Sequence, residues 1–188
     1  MKKFLIPVAI IAVIGIFLYT KAVGTYNQFV QAEEQINGQW AEVETQYQRR
    51  ADLIPNLIET VKGYAAHEKS TFDAVISARQ AAIAAPSTPA AQSGASNAVT
   101  GALRQLFALS EAYPDLKANA NFLALQEELT STESRVAYAR QFYNDEVLGL
   151  NNAIQKIPGL FVARLAKIGP RDYFDAEPAA DNPPKVQF

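Results

Sequence analysis

The side chains that could carry out chemistry are few in this sequence. His67 is the only histidine among 188 residues, and it stands beside Glu68 and Lys69 as a group able to exchange a proton near neutrality. The simpler reading of that triplet is a solvated helix surface, which needs no chemistry at all. Glu127 and Glu128 are adjacent carboxylates, but neighbouring positions on a helix point about 100° apart and do not share a substrate easily. A di-iron carboxylate bundle takes two histidines with four glutamates, so a chain with one histidine is excluded from that chemistry. There is no cysteine, which removes disulfides and thiolate metal sites. Gly-x-Gly-x-x-Gly, P-loop, Gly-x-Ser-x-Gly and Ser-x-x-Lys motifs are absent as well. The expectation is a protein that is not an enzyme, with no catalytic residue, cofactor or metal.

Three other groups are suited to binding. Arg49 and Arg50 are adjacent guanidiniums that could hold an acidic partner or a lipid phosphate through forked hydrogen bonds. The competing reading, which is preferred, has them neutralise the carbonyl end of a helix and pair with Asp52. After the break at Pro158-Gly159, the residues Leu160, Phe161, Leu165 and Ile168 share one helical face, with Arg164 and Lys167 off it. Such a basic amphipathic piece either lies on a membrane surface or folds back to close one end of a bundle. Tyr26, Phe29 and Val30 form the third group. They extend past the expected reach of a shorter fourth helix, which makes them candidates for self-association.

These groups depend on the elements that position them. Residues 4–20 contain no charged side chain, with Lys2 and Lys3 before them and Lys21 after. Seventeen residues rise about 26 Å as a helix, at the short end of what spans a bilayer. Small residues suited to signal cleavage are poorly matched after Lys21, so an uncleaved anchor is favoured over a signal peptide. The two leading lysines favour a cytoplasmic N-terminus and an extracytoplasmic body. Without those lysines the chain carries about −4, which leaves no basic footprint for nucleic acid.

The body reads as helices throughout. A heptad-like ladder runs through Phe29, Glu33, Ile36, Trp40, Val43 and Tyr47, and its stripe continues through Ile54, Leu57, Val61 and Tyr64. Pro55 interrupts it. An antiparallel hairpin turning there, with Asp52 as N-cap of the second helix, is the first choice; one long kinked helix is the alternative. The second helix continues through Phe72, Val75, Ile76 and Ile83. A mobile loop is expected over about 85–96, where the chain is small, polar and rich in proline. A third helix is expected over Asn97–Ala112 and a fourth over Lys117–Lys156. No run of residues alternates like a strand. The expected fold is all-α, a single N-terminal transmembrane helix followed by an up-and-down four-helix bundle with long helices. Its expected divisions are an anchor (1–21), the bundle (22–157) and an amphipathic segment with an extended tail (158–188).

Several stretches together resemble the LemA family of bacterial membrane proteins. They are Tyr26-Asn27-Gln28-Phe29-Val30, the run from Arg49 through Glu68, Ile157-Pro158-Gly159-Leu160, Pro170-Arg171-Asp172-Tyr173-Phe174, and the ending Pro184-Lys185-Val186-Gln187-Phe188. The resemblance covers nearly the whole chain in the same order. It implies one membrane helix, a helical-bundle body and residence in the bacterial inner membrane, with no agreed enzymatic activity. Relatives include a protein of magnetosome membranes, which implies membrane organisation as the family's business. Gly38 and the weakly aromatic Ala166-Lys167-Ile168-Gly169-Pro170 depart from the family's pattern. Two function classes follow as expectations. One is a self-assembling scaffold, a homo-oligomer that organises or shapes the bilayer. The other is a binding module or accessory subunit for another envelope protein, such as a protease or signalling system.

Overall fold

The computed structural model describes residues 2–174, with side chains from residue 7 onward. The tail 175–188, including the family-like ending at Phe188, and the side chains of Lys2 and Lys3 lie outside the described residues. Among the described residues the chain is helical with no strand, as the absence of alternating patterns predicts. The elements are α1 (Lys2–Lys62), α2 (Lys69–Ala84), α3 (Pro89–Ala108), a 3-10 turn (Leu109–Glu111), α4 (Pro114–Lys117), α5 (Ala120–Gln155) and α6 (Gly159–Ala166).

The first correction concerns Pro55. α1 runs through it unbroken, so the expected hairpin is replaced by one long helix, and the chain turns later, between Gly63 and Glu68. A proline inside a helix leaves the carbonyl four residues earlier without its N–H donor. Here that carbonyl belongs to Ala51, and the Nε of Arg79 on α2 donates to it at 2.7 Å. The defect made by Pro55 is thus filled from a neighbouring helix. Burial supplies the rest, because Ile54, Leu57 and Val61 are each 0% exposed around the proline. Asp52 is accordingly no N-cap; within the helix it accepts a hydrogen bond from Gln48 Nε2 at 2.8 Å.

The second correction concerns the mobile loop. α3 starts at Pro89, so most of 85–96 is helix and only the short link to Thr88 is not. Thr88 is the N-cap, its hydroxyl accepting from the Ala91 N–H, and Pro89 occupies the first turn, where a missing N–H costs nothing. Ser93 and Ser96 are buried. Small polar residues read as a loop because they offer nothing apolar to bury, yet on a helix they permit close approach. The third helix therefore begins earlier than Asn97 and ends at Ala108. The fourth, α5, starts at Ala120 rather than Lys117, after Asn119 Oδ1 accepts the Phe122 N–H at 2.9 Å.

The chain forms two compact units. One comprises, among the described residues, Trp40–Gln141 with Tyr173 and Phe174, and is a four-helix bundle of α1, α2, α3 and α5. Its core includes Leu57 and Val61 from α1, Phe72 and Val75 from α2, Leu103 and Leu106 from α3, and Phe122 and Leu129 from α5. Trp40 stacks on Phe174 with ring centroids 5.5 Å apart, which fastens the Tyr173–Phe174 end of the described chain onto this bundle.

The other unit comprises residues 1–39 and 142–172. Within it, α1 begins as the apolar stretch. Its most apolar window has a mean hydropathy of 2.0, and none of that window is buried by protein. Nine large apolar side chains from Val8 to Tyr19 are each more than half exposed, which is the state of a helix made to be covered by lipid. Further along, Phe29 and Ile36 are buried, as are Tyr143, Val147, Leu150 and Ile154 of α5. Gly159 opens α6 at a point where a Cβ would stand 2.1 Å from the Ala153 carbonyl and 3.1 Å from the Phe29 ring, so only glycine fits. The segment after α6 is clamped by side chains: Asn151 both donates to the Arg171 carbonyl and accepts from its N–H, at 2.9 Å each. Tyr143 donates to the Asp172 carbonyl at 3.1 Å, and the Arg171 guanidinium reaches Glu33 at 3.3 Å. These bonds give the Pro170–Phe174 motif a structural role.

Candidate functional site

The two adjacent arginines have different fates. Arg49 lies at the surface and pairs with Glu128 of α5, both groups substantially exposed. Arg50 points inward and is 4% exposed. Its Nη2 donates to Thr100 at 2.9 Å and approaches Glu133 at 3.7 Å, while Nη1 reaches Ser96 at 3.4 Å. Thr100 donates onward to Glu133 at 3.0 Å, so α1, α3 and α5 are joined by one polar chain. Burial holds the Arg50 guanidinium below its ordinary pKa, and the Glu133 carboxylate opposes that shift. Neither arginine neutralises a helix end, because α1 continues to Lys62. Neither pairs with Asp52.

A groove of about 640 Å³ adjoins Arg50 in the four-helix unit, with Glu44, Gln48, Arg79, Ile83 and Gln92 among its lining residues. Tyr47 borders it and accepts from Arg140 Nε at 2.9 Å. Burial raises the Tyr47 pKa, against the opposing charge of Arg140. Arg140 lies within 5.5 Å of the Tyr47 ring and 5.3 Å of the Phe174 ring, a cation held between aromatic faces. His67 is exposed in the turn after α1, with Glu68 beside it accepting from the Tyr113 hydroxyl at 3.0 Å. Among the described residues no group of three or more His, Asp or Glu side chains is placed to hold a metal.

The self-association candidates separate. Phe29 is 2% exposed, so it belongs to the core of its own chain and is withdrawn from the proposed contact. Tyr26 and Val30 stay outside, at 46% and 40%. Val23 at 40% and Tyr19 at 70% continue them toward the N-terminus. Tyr19, Val23, Tyr26 and Val30 are spaced four, three and four apart, which is the seam of one half of a coiled coil.

The α6 candidates also separate. The expected apolar face of Leu160, Phe161, Leu165 and Ile168 is not the one the helix buries. Gly159 and Ala163 turn inward, while Phe161 and Leu165 are 63% and 88% exposed. Leu160 is half-buried, and Ile168 falls beyond the helix, which ends at Ala166 with Lys167 in the left-handed conformation at φ 58°. The Ile168 N–H then bonds the Ala163 carbonyl at 2.9 Å, closing the helix C-terminus. Arg164 and Lys167 are exposed, as the sequence pattern predicts.

Sequence reasoning missed Arg79, Ser96, Thr100, Glu133, Arg140 and Asn151. One signal was available: a helix through Pro55 needs a donor for Ala51, and α2 has only Arg79 and its opening Lys69 as cations.

The sequence model of the LemA family matches residues 39–188. The chain belongs to the LemA family. Magnetosome protein MamQ of Magnetospirillum gryphiswaldense is similar at 27% identity over 183 residues, covering 84% of this chain and 67% of that protein. Magnetosome protein MamQ 2 of Paramagnetospirillum magneticum is similar at 26% identity over 206 residues, covering 94% and 76%. The family match takes in the Arg50 network, Arg79, Gly159 and the Pro170–Phe174 clamp. As a member of the LemA family, the protein is a membrane-associated helical protein. The anchor and the Tyr19–Val30 seam precede the matched residues.

Proposed function

We propose that this LemA-family protein is a non-enzymatic, self-assembling scaffold of the bacterial inner membrane, its N-terminus cytoplasmic and its body extracytoplasmic. The observation that carries the reading is the exposed seam of Tyr19, Val23, Tyr26 and Val30 on the helix that leaves the apolar stretch without interruption. Left in water, Tyr26 and Val30 at a little under half exposed forgo part of the about 1.5–3 kcal/mol that full burial of such a side chain gives. Identical chains anchored in one plane meet at high local concentration, so the same seam of a neighbour is the readiest cover. The similarity to magnetosome proteins supports a role in membrane organisation.

The test is the mass of the full-length protein extracted in mild detergent. A discrete assembly is expected, dispersed by Tyr26→Ser with Val30→Ser while the melting temperature of the body is retained. A wild-type monomer would overturn the scaffold. Orientation is read separately: Ala90→Cys, on an exposed position of α3, should react with a membrane-impermeant maleimide in intact spheroplasts, and labelling only after lysis reverses it.

A binding module for another envelope protein is the second reading. The groove beside Arg50 favours it, because Arg79 lines that groove and makes no ion pair among the described residues.

A further inference from the structure

We infer that α6 is a second membrane contact, a foot that seats Ile157, Phe161 and Leu165 in the lipid interface beside the anchor. Ile157 stands just before the helix, and the three follow at intervals of four, 76%, 63% and 88% exposed. Within the helix, Phe161 and Leu165 are four residues apart and lie opposite the face that Gly159 and Ala163 bury, while Ile157 is exposed in the turn that precedes it. An amphipathic helix with an apolar stripe and flanking cations is the form that lies in a bilayer interface.

Charge chooses the occupant. From Lys156 to Arg171 the chain has four cations, Lys156, Arg164, Lys167 and Arg171, and no acidic residue, in a protein whose net charge is −2. Among the described residues, Arg171 of these is paired, to Glu33, and the other three make no ion pair. A second copy of α6 would bring the same cations against these, which disfavours a symmetric contact. Anionic lipid headgroups answer them, since basic residues held near such a surface are attracted to it.

Distance allows the contact. Gly159 of α6 lies against Phe29 of α1. Phe29 is nine residues beyond Thr20, about 14 Å along a helix. The headgroup layer takes up about 5–7 Å of that. The remainder, about 7–9 Å, is a little more than the half-width of a helix with its side chains, about 5–6 Å. The inference rests on the apolar stretch of α1 being an anchor, so the experiment reads the two separately.

The full-length chain has no cysteine, and single variants Ile14→Cys, His67→Cys and Leu165→Cys can each carry a nitroxide label. Reconstituted into vesicles of phosphatidylcholine with phosphatidylglycerol, the labels report depth through relaxation by oxygen and by a water-soluble nickel chelate. The label at 14 should read as hydrocarbon and the label at 67 as water. At 165 the ratio of oxygen to nickel effect should be several-fold above that at 67, and it should fall in vesicles of phosphatidylcholine alone. Water-like values at 165 with hydrocarbon values at 14 would overturn the foot and leave the anchor standing. Loss of both oxygen and nickel access at 165 would place it under protein and also overturn the foot. Water-like values at 14 would remove the anchor and the foot together.

Discussion

The two units of this chain treat apolar side chains in opposite ways. In the four-helix unit the large residues of the stripe are fully interior, with Ile54, Leu57, Val61, Val75, Leu106 and Leu116 all 0% exposed. Those that remain outside, such as Ile83 on α2 and Leu123 and Tyr138 on α5, are far apart along the chain. The unit of residues 1–39 and 142–172 also has an interior, at Phe29, Ile36 and Val147. Yet it leaves apolar residues exposed in ordered runs: Tyr19–Val23–Tyr26–Val30 on α1 and Ile157–Phe161–Leu165 on and beside α6. Scattered apolar residues on a surface are ordinary, whereas runs mark surfaces that something else covers. The first unit is closed by its own chain. The second leaves two apolar runs that the proposed lipid and neighbour contacts would cover.

Substitutions of one residue type in the two units should break or sharpen that contrast. The largest effect is expected for Leu106→Ala in the closed core, a loss of about 2–5 kcal/mol. Leu165→Ala should stay within about 0.5 kcal/mol in detergent, because that side chain is 88% exposed. Thermal melts of the two variants check this, and equal losses would erase the distinction.

Within the closed unit, Arg50→Ala should cost about 2–3 kcal/mol, somewhat less than a fully buried pair because Glu133 keeps partial access to water. Its neighbour Arg49→Ala should change stability by less than about 1 kcal/mol, as an exposed ion pair does. Denaturant unfolding of both variants separates them, and similar midpoints would contradict the placement of Arg50.

A smaller effect probes the helix through Pro55. Arg79→Ala removes the donor to the Ala51 carbonyl and should cost about 1–2 kcal/mol. In a Pro55→Ala background the restored N–H takes over that carbonyl, so the same Arg79→Ala should cost less. A double-mutant cycle with no coupling would show that Arg79 does not fill the gap.

Pro55 also shows how far the sequence could be read. The all-helical class, the apolar first helix and most core positions followed from spacing: Ile36, Val43, Leu57 and Val61 are all buried, whereas Phe29, expected outside, is buried as well. Pro55 was misread as a corner because local propensity contains no term for a remote donor. The start of α3 was misread for a related reason. Ser93 and Ser96 look like loop residues until Arg50 on another helix gives Ser96 a partner. On α6 only Phe161 and Leu165 of the expected stripe are exposed together, and the inward face was not read, since a glycine and an alanine carry no hydrophobic signal. Tertiary contacts decided each of these positions, and periodicity decided the rest.

The central claim is that the α1 seam is covered by identical neighbours. Because the chain contains no cysteine, single cysteines can be placed one at a time from Lys21 to Val30 in the full-length protein and oxidised in native membranes. Disulfide dimers should form with a period of about 3.5 residues, peaking at 23, 26 and 30 and falling away at 28 and 29. A flat profile, or no dimer at any of the ten positions, would contradict a seam between copies.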